Sequence, residues 1–366
     1  MKKIIFFMPN IERGEIEKNL VILGNYFLKK NYKIEIICSK ISSEVKKKLN
    51  KQIKIIKCKN YITLPFVPNR ILNSINLFIF LLFFYSPKKK QVILSMQDHP
   101  FSLIASKIKN IPCVIRIANH PHGSLKFYNN YFFFLIKINI KKIFYILSSG
   151  IICNSKSSAN FFKKIYKKKN IIHIYNPIQI NLKKNKIKKI SNDIISVGRL
   201  QNQKNFFGLI KAFSMVLKKL PKKKMIIIGS GHEKIKLKKL AKELKINNQI
   251  KFIKYGNPEQ KILNSKLLIL NSLWEGLPNI LIEAQILKTP IISTNCESGP
   301  DEILKNGKLG YLTPVNNEKK LALKIIDVFR NYSAAQKKAK LALNYLYRFH
   351  LNSQCKKYEV FLKKFN

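Results

Sequence analysis

Short apolar runs alternate along this chain with longer segments whose apolar residues recur at helical spacing. Lys3–Met8, Lys33–Ser39, Ile53–Cys58, Gln91–Ser95, Cys113–Ala118 and Gly150–Cys153 read as strands. Glu15–Lys30 places Ile16, Leu20, Leu23 and Phe27 on one helical face, and Ile71–Tyr85 reads as a second helix. Strands alternating with helices predict a parallel sheet covered on both faces. The segment 181–192 interrupts the pattern: it is polar, contains five Lys, has no core-forming spacing and reads as a linker. Beyond it the alternation resumes. Strand-like runs occur at Ile194–Val197, Met225–Ile228, Ile250–Ile253, Leu267–Leu270 and Pro290–Ser293, with helical segments such as Asn205–Leu220 and Glu233–Leu244 between them.

Length agrees with two repeats of this pattern, since 366 residues at roughly 100–200 per domain make two domains. The expectation is α/β: two doubly wound, Rossmann-like domains, 1–180 and 181–345, with 346–366 a helix that packs back on the first. Ligands of such sheets bind beyond the carboxyl ends of the strands. Two domains facing a central cleft therefore predict a site in that cleft.

An apolar content of 46% gives each half enough material for a core. Charge alters the picture more. The chain has 70 Lys and Arg against 18 Asp and Glu, a formal net charge of +52, which calls for an anionic partner such as nucleic acid, anionic lipid or a phosphorylated substrate. Abundant Ile and Asn beside Lys also fit AT-rich coding, so part of the excess reads as compositional drift on solvated faces. Six scattered cysteines, Cys38, Cys58, Cys113, Cys153, Cys296 and Cys355, form no C-x-x-C pair; they predict neither a metal site nor a redox dithiol, and fit buried reduced thiols in a cytoplasmic protein. Met1–Met8 is too short for a secretory h-region, and the 15 residues of Ile71–Tyr85 fall short of the ~20 that span a bilayer.

Candidate chemistry concentrates in the second half. Ser196-Val-Gly198-Arg199-Leu200, with Gln203-Lys204-Asn205, is a glycine turn after a strand, and Ile228-Gly229-Ser-Gly231-His232 is another. A strand, a glycine turn and a helix start set backbone N–H groups and a positive dipole end where a phosphate can sit. Arg199 and Lys204 add full charge suited to a diphosphate. Gly229–Gly231 taken alone reads more simply as a tight turn. In Glu275-Gly276-Leu277-Pro278-Asn279-Ile-Leu-Ile-Glu283, Pro278 predicts a helix start, with Glu275 in the loop before it and Glu283 one to two turns inside. The amides near Leu277–Ile280 then form an anion site between two carboxylates. A carboxylate beside an anion site is suited to accept hydrogen bonds from sugar hydroxyls.

These segments, followed by Ser298-Gly299-Pro300-x-Glu302-Ile, resemble the retaining glycosyltransferases of family 4, which have the two-domain GT-B fold. The resemblance implies a nucleotide-sugar-binding second domain, with Glu283 holding the ribose, Glu275 the donor sugar, and Arg199 and Lys204 neutralising the diphosphate. It implies transfer of a hexose or N-acetylhexosamine from a nucleoside-diphosphate sugar, a UDP-sugar foremost, to an acceptor hydroxyl with retention, and with no cofactor or metal ion. His120 stands at the usual cleft histidine, with His99 and His122 as competitors. Pro9–Lys18 is similar to the glycine-rich acceptor loop, except that Gly14-Glu15 puts a charged side chain where the family has a second glycine.

The partners expected are the sugar nucleotide and a lipid-linked or glycan acceptor of bacterial surface polysaccharide or lipopolysaccharide synthesis. Ile71–Tyr85, which leads into Pro87-Lys-Lys-Lys90, and Phe127–Leu147, with Lys137, Lys141 and Lys142, suit an anionic membrane surface, and each taken singly reads equally well as a core helix of the first domain. The protein is then expected to be cytoplasmic and peripheral on the inner face of the cell membrane. A nucleotide-sugar epimerase of the same overall fold and a basic nucleic-acid-binding protein are the other readings. Against the last, Lys is spread along the whole chain and no helix-turn-helix, zinc finger or RNP-like motif is present, so no nucleic-acid partner is expected.

Overall fold

The structure is a computed structural model. It describes the chain apart from residues 1, 13, 88–89, 121–130, 168, 181–191, 255 and 366, and describes only the backbone at 70, 131–138 and 192. The expected linker lies outside the described residues, except that Asn192 already opens a strand. The chain divides into two compact units, one comprising Met1–Ala118, Tyr128–Ile178 and Phe349–Asn366, the other Asn119–Phe127 and Gln179–Arg348.

The first unit holds strands β1 (Lys3–Phe7), β2 (Asn10–Ile11), β3 (Lys33–Cys38), β4 (Lys40–Ile41), β5 (Lys54–Lys57), β6 (Gln91–Ser95), β7 (Cys113–Ile117), β8 (Gly150–Cys153) and β9 (Asn170–His173). Its helices are α1 (Glu15–Lys29), α2 (Ser43–Lys48), α3 (Asn69–Ile79), α4 (Pro100–Ile108), α5 (Tyr131–Ile146) and α6 (Lys156–Ile165). Seven strands form a parallel sheet in the order β5-β3-β1-β6-β7-β8-β9. Every residue of β1, β6, β7 and β8 is buried, as a sheet covered on both faces requires. One face packs Ile4, Phe6, Ile36 and Leu94 against α1 and the last helix of the chain; the other packs Ile5, Phe7, Ile93 and Ile115 against α3, α4 and α5. α3 runs on into a π-helical turn at Phe80–Phe84, so the apolar segment expected to form one regular helix starts earlier and ends wider.

The second unit holds β10 (Asn192–Val197), β11 (Met225–Ile228), β12 (Ile250–Ile253), β13 (Ser265–Leu270), β14 (Ile291–Thr294) and β15 (Tyr311–Thr313). Its helices are α7 (Phe206–Leu217), α8 (Lys234–Glu243), α9 (Glu259–Leu263), α10 (Asn279–Ile286), α11 (Pro300–Leu304), α12 (Glu318–Arg330) and α13 (Tyr332–Ala342). The sheet is parallel in the order β12-β11-β10-β13-β14-β15. The chain winds one way from β10 and the other way from β13, so the carboxyl ends of these two neighbouring strands are the switch point, the place where such sheets bind ligands in a crevice. The fold is therefore α/β with two Rossmann-like units. The final helix, α14 (Leu351–Leu362), belongs to the first unit, where the Arg116 Nε donates to Tyr358 Oη (3.1 Å) and Tyr26 Oη donates to the Glu359 carboxylate (3.2 Å).

Candidate active site

The crevice of the second unit brings the two strongest sequence segments together. The loop after β10 carries Gly198, Arg199 and a 3₁₀ turn at Asn202–Lys204. Asn205 follows in the left-handed region (φ 44°), a conformation asparagine tolerates better than most residues, and its side chain accepts the Gly208 N–H to cap α7. The loop after β13 carries Asn271–Pro278. Three hydrogen bonds join the two loops: Leu273 N–H to the Gln203 carbonyl (2.8 Å), Gln203 Nε2 to the Trp274 carbonyl (2.9 Å) and Asn271 Nδ2 to the Asn205 carbonyl (2.9 Å). Gln203 and Asn205 thus act as scaffold.

At the centre of that scaffold Lys204 Nζ donates to Glu275 Oε1 at 2.5 Å, and Ser272 Oγ donates to the same oxygen at 2.6 Å. The side chains of Lys204 and Glu275 are 15% and 7% exposed, so the pair is largely withdrawn from water. Their motifs alone suggest separate ligands, a diphosphate and a sugar. In the structure they form one ion pair, with Ser272 as its third member. Ser272 stands three residues before Glu275, and nothing local to a lone serine distinguishes it in the sequence.

Glycines set the spacing. A Cβ on Gly198 would lie 3.2–3.4 Å from three carbons of the Lys204 stem, so the bare backbone is the floor on which that side chain rests. A Cβ on Gly229 would lie 2.1 Å from the Gly198 carbonyl oxygen, and one on Gly231 2.2 Å from that of Leu200. Gly229, a candidate for ligand binding in the sequence, therefore packs one turn on another. Arg199 projects into solvent from the first turn.

Pro278 occupies the cap position and the helix begins one residue later than expected, at Asn279. Pro278 itself has no side-chain group to cap α10, whose backbone amides and positive dipole end lie directly after the buried Gly276-Leu277-Pro278 segment. Glu283 is half-buried on the same helix. Ser298 Oγ donates to the Gly276 carbonyl (3.0 Å), and Gly299, at φ +92°, comes so close that a Cβ would sit 2.4 Å from the same oxygen. The nearby Cys296 thiol is pushed up to about 12 by burial and then by the charge of Glu275.

His120 joins this group. It is buried, its backbone N–H points at the Glu275 carbonyl (3.4 Å), and its Nδ1 lies 3.8 Å from Glu297 Oε2, an ion pair whenever the imidazole is protonated. The preceding Asn119 bridges Gly276 in antiparallel fashion. No sequence pattern marks Glu297, because only tertiary structure pairs it with His120. His99 belongs to the first unit, at the cap position of α4 beyond the end of β6 with its ring 6.0 Å from that of Phe7, and His122 is outside the described residues. Gly14, with extended φ of 171°, precedes α1, and Glu15 is the exposed first residue of that helix. Glu17 folds over Gly14, whose Cβ would meet its carboxylate at 2.6 Å.

Residues 177–344 match the family model described as glycosyl transferases group 1. The chain is 28% identical over 341 residues to an uncharacterized glycosyltransferase of Haemophilus influenzae, covering 90% of this chain and 91% of that one. It is 34% identical over 209 residues to an uncharacterized glycosyltransferase of Methanocaldococcus jannaschii; that match covers 53% of this chain and spans about half, 51%, of the relative. A Campylobacter jejuni protein, 24% identical over 332 residues and covered to 88%, is named as an alpha-1,4-N-acetyl-D-galactosaminyltransferase acting on a diphospho-undecaprenol-linked glycan. Among solved structures, Anabaena HepE in complex with UDP and glucose matches with a TM-score of 0.80 over 100% of both chains at 19% identity, a likeness of fold. The chain has the GT-B fold, and its residues 177–344 match the group 1 glycosyl transferases.

Proposed function

We propose that this enzyme moves a hexose or N-acetylhexosamine from a nucleoside-diphosphate sugar, a UDP-sugar foremost, to a hydroxyl of a lipid-linked glycan, with retention at the anomeric carbon and without a metal ion. The observation that carries this is the buried Lys204–Glu275–Ser272 group beside the start of α10. When the donor's diphosphate leaves, negative charge develops on it. In this reading the α10 amides, the exposed Arg199 and the remaining N–H groups of Lys204 receive that charge, the kind of fixed stabilisation whose loss costs roughly 2.7–4 kcal/mol of barrier per donor. Glu275, holding the ammonium by one oxygen, has its second oxygen for sugar hydroxyls. Glu283, further along the same helix, is assigned to the ribose, and His120 to the face of the transferred sugar. Gly14 and Glu15 are assigned to the acceptor. The lipid-linked acceptor is supported by the name of the Campylobacter relative, and the uridine nucleotide by the ligand of Anabaena HepE. Such an enzyme would serve surface-glycan synthesis from the cytoplasmic face of the cell membrane.

The test is donor turnover by Arg199→Ala and Glu283→Ala. Each is expected to fall by at least about a hundredfold. Unchanged turnover in both overturns the donor assignment.

A further inference from the structure

The first unit carries a surface that the donor site does not use. α4 packs against α3 with its π-helical turn on one side and against α5 on the other, making one helical layer over the β1–β6–β7 face of the sheet. The Phe78 and Phe101 rings meet at 5.7 Å, and Tyr145 Oη and Lys141 Nζ of α5 both donate to Asp98 in the loop leading to α4. Among the described residues, fifteen large hydrophobic side chains are exposed, and ten of them lie on this layer or on the loop 62–68 that leads into it. The largest exposures on it are Phe66 (103%), Phe83 (74%), Ile143 (64%) and Ile108 (60%). A soluble surface scatters such residues; a concentration on one layer marks an interaction face.

The loop is built to present its apolar tip. The buried Asn76 of α3 accepts the N–H groups of Tyr61 and Ile62 (both 2.8 Å) and donates to the Ile62 carbonyl, while the Tyr61 ring stacks on Phe84 at 4.9 Å. From that anchor the chain turns through Leu64–Val67 and holds Phe66 at φ +71°, a strained conformation for a bulky residue, with its whole side chain in solvent. A phenylalanine held exposed in a strained conformation suits contact with an outside partner.

A scarcity of acids gives this surface its charge. Between Glu44 and Asp193 the sequence holds 29 Lys and Arg and one acid, Asp98, which Lys141 already pairs. Lys90, Lys107, Lys109 and Lys142 flank the apolar positions. No described helix is long and apolar enough to cross a membrane. Exposed aliphatic and aromatic tips on elements so rich in lysine and so poor in acids fit the headgroup boundary of an anionic bilayer, where apolar insertion and charge act together.

We propose that the α3–α4–α5 layer and the 62–68 loop dock on an anionic lipid bilayer, with Phe66 and Phe83 inserted below the headgroups. This deepens the lipid-linked acceptor reading and rests on it for its purpose, though not for its measurement. The test is co-sedimentation of the full chain with vesicles of phosphatidylglycerol and phosphatidylcholine, against vesicles of phosphatidylcholine alone. Three proteins are compared: wild type, Phe66→Ser/Phe83→Ser, and the control Leu323→Ser, an exposed site on α12. Wild type and control are expected to bind the anionic vesicles equally, and the double variant at least about tenfold more weakly. Its donor hydrolysis should be unchanged, so a failure of docking is read separately from a failure of the donor site. Equal binding by the double variant, equal binding to both vesicle types, or no vesicle binding by wild type overturns the proposal.

Discussion

Lys204 and Glu275 lie 71 residues apart and meet at 2.5 Å, each from the loop after one of two adjacent strands at the point where the sheet reverses its winding. Each loop supplies the countercharge that the other buries. The pair thus fastens the crevice as well as equipping it.

Unequal costs follow for its two members. Lys204→Met leaves a buried carboxylate with only Ser272 for company and should destabilise by about 3–5 kcal/mol. Glu275→Gln keeps an oxygen for the lysine and should cost less. Combining the two changes should restore much of the stability lost by Lys204→Met while turnover stays low. Urea unfolding midpoints of the three variants check this; additive losses would show that the two side chains do not depend on one another.

Gly198 and Gly229 separate function from folding. Alanine at 198 meets the flexible Lys204 stem and should shift its ammonium, lowering donor turnover about tenfold or more with little change in Tm. Alanine at 229 meets a backbone oxygen at 2.1 Å and should lower Tm by several degrees or prevent folding. Thermal melts beside turnover assays distinguish the two roles, and the reverse ranking contradicts them.

All six cysteines are free and buried. Burial pushes the thiol of Cys38 up to about 11 and those of Cys58, Cys113 and Cys355 up to about 12, and raises Cys153 further; Cys296 reaches about 12 with Glu275 adding to burial. At pH 8 the native chain should give no fast reaction with an aromatic disulfide reagent, and the chain in urea should give six equivalents. A fast-reacting thiol in the folded state would contradict the burial.

How far the sequence disclosed this arrangement depends on range. Strands such as Ile194–Val197 and Cys113–Ile117 were legible because a parallel strand buried on both faces is a continuous apolar run. β15, three residues long, and β9, with Asn170 and His173 at its ends, are too short or too polar to show that signature. α2 leaves no helical pattern either, being six residues with four of them charged. Local cues place Glu275 before a helix and Glu283 within it. They could not join Gln203 to Trp274, Ser272 to the Lys204–Glu275 pair or Glu297 to His120, because these contacts arise only when the folded sheet gathers loops distant in sequence. Nor could periodicity foresee the π-turn at Phe80–Phe84, since the run is apolar all round and any helical pitch fits it.

His173 provides a pH test of the first unit. Burial, then the charges of Lys357, Lys156 and Lys163, lower its pKa to about 4 from an ordinary value of 6.5. The unfolded chain therefore binds a proton there more readily than the folded one, so stability is full above pH 6.5 and declines as pH falls toward 4. Replacing His173 with Gln should flatten that part of the Tm-against-pH curve. A curve parallel to wild type between pH 6.5 and 4 would exclude His173 as a contributor.

Transfer from a sugar nucleotide in the Lys204–Glu275 crevice is the central claim. Its most direct measurement is the release of nucleoside diphosphate from a panel of sugar nucleotides, with and without a diphospho-polyprenol-linked glycan, by wild type and Glu275→Gln. At least one donor should be consumed rapidly only when acceptor is present, and Glu275→Gln should lower that rate by about a hundredfold or more. Acceptor-dependent release that proceeds equally well in Glu275→Gln would contradict the claim.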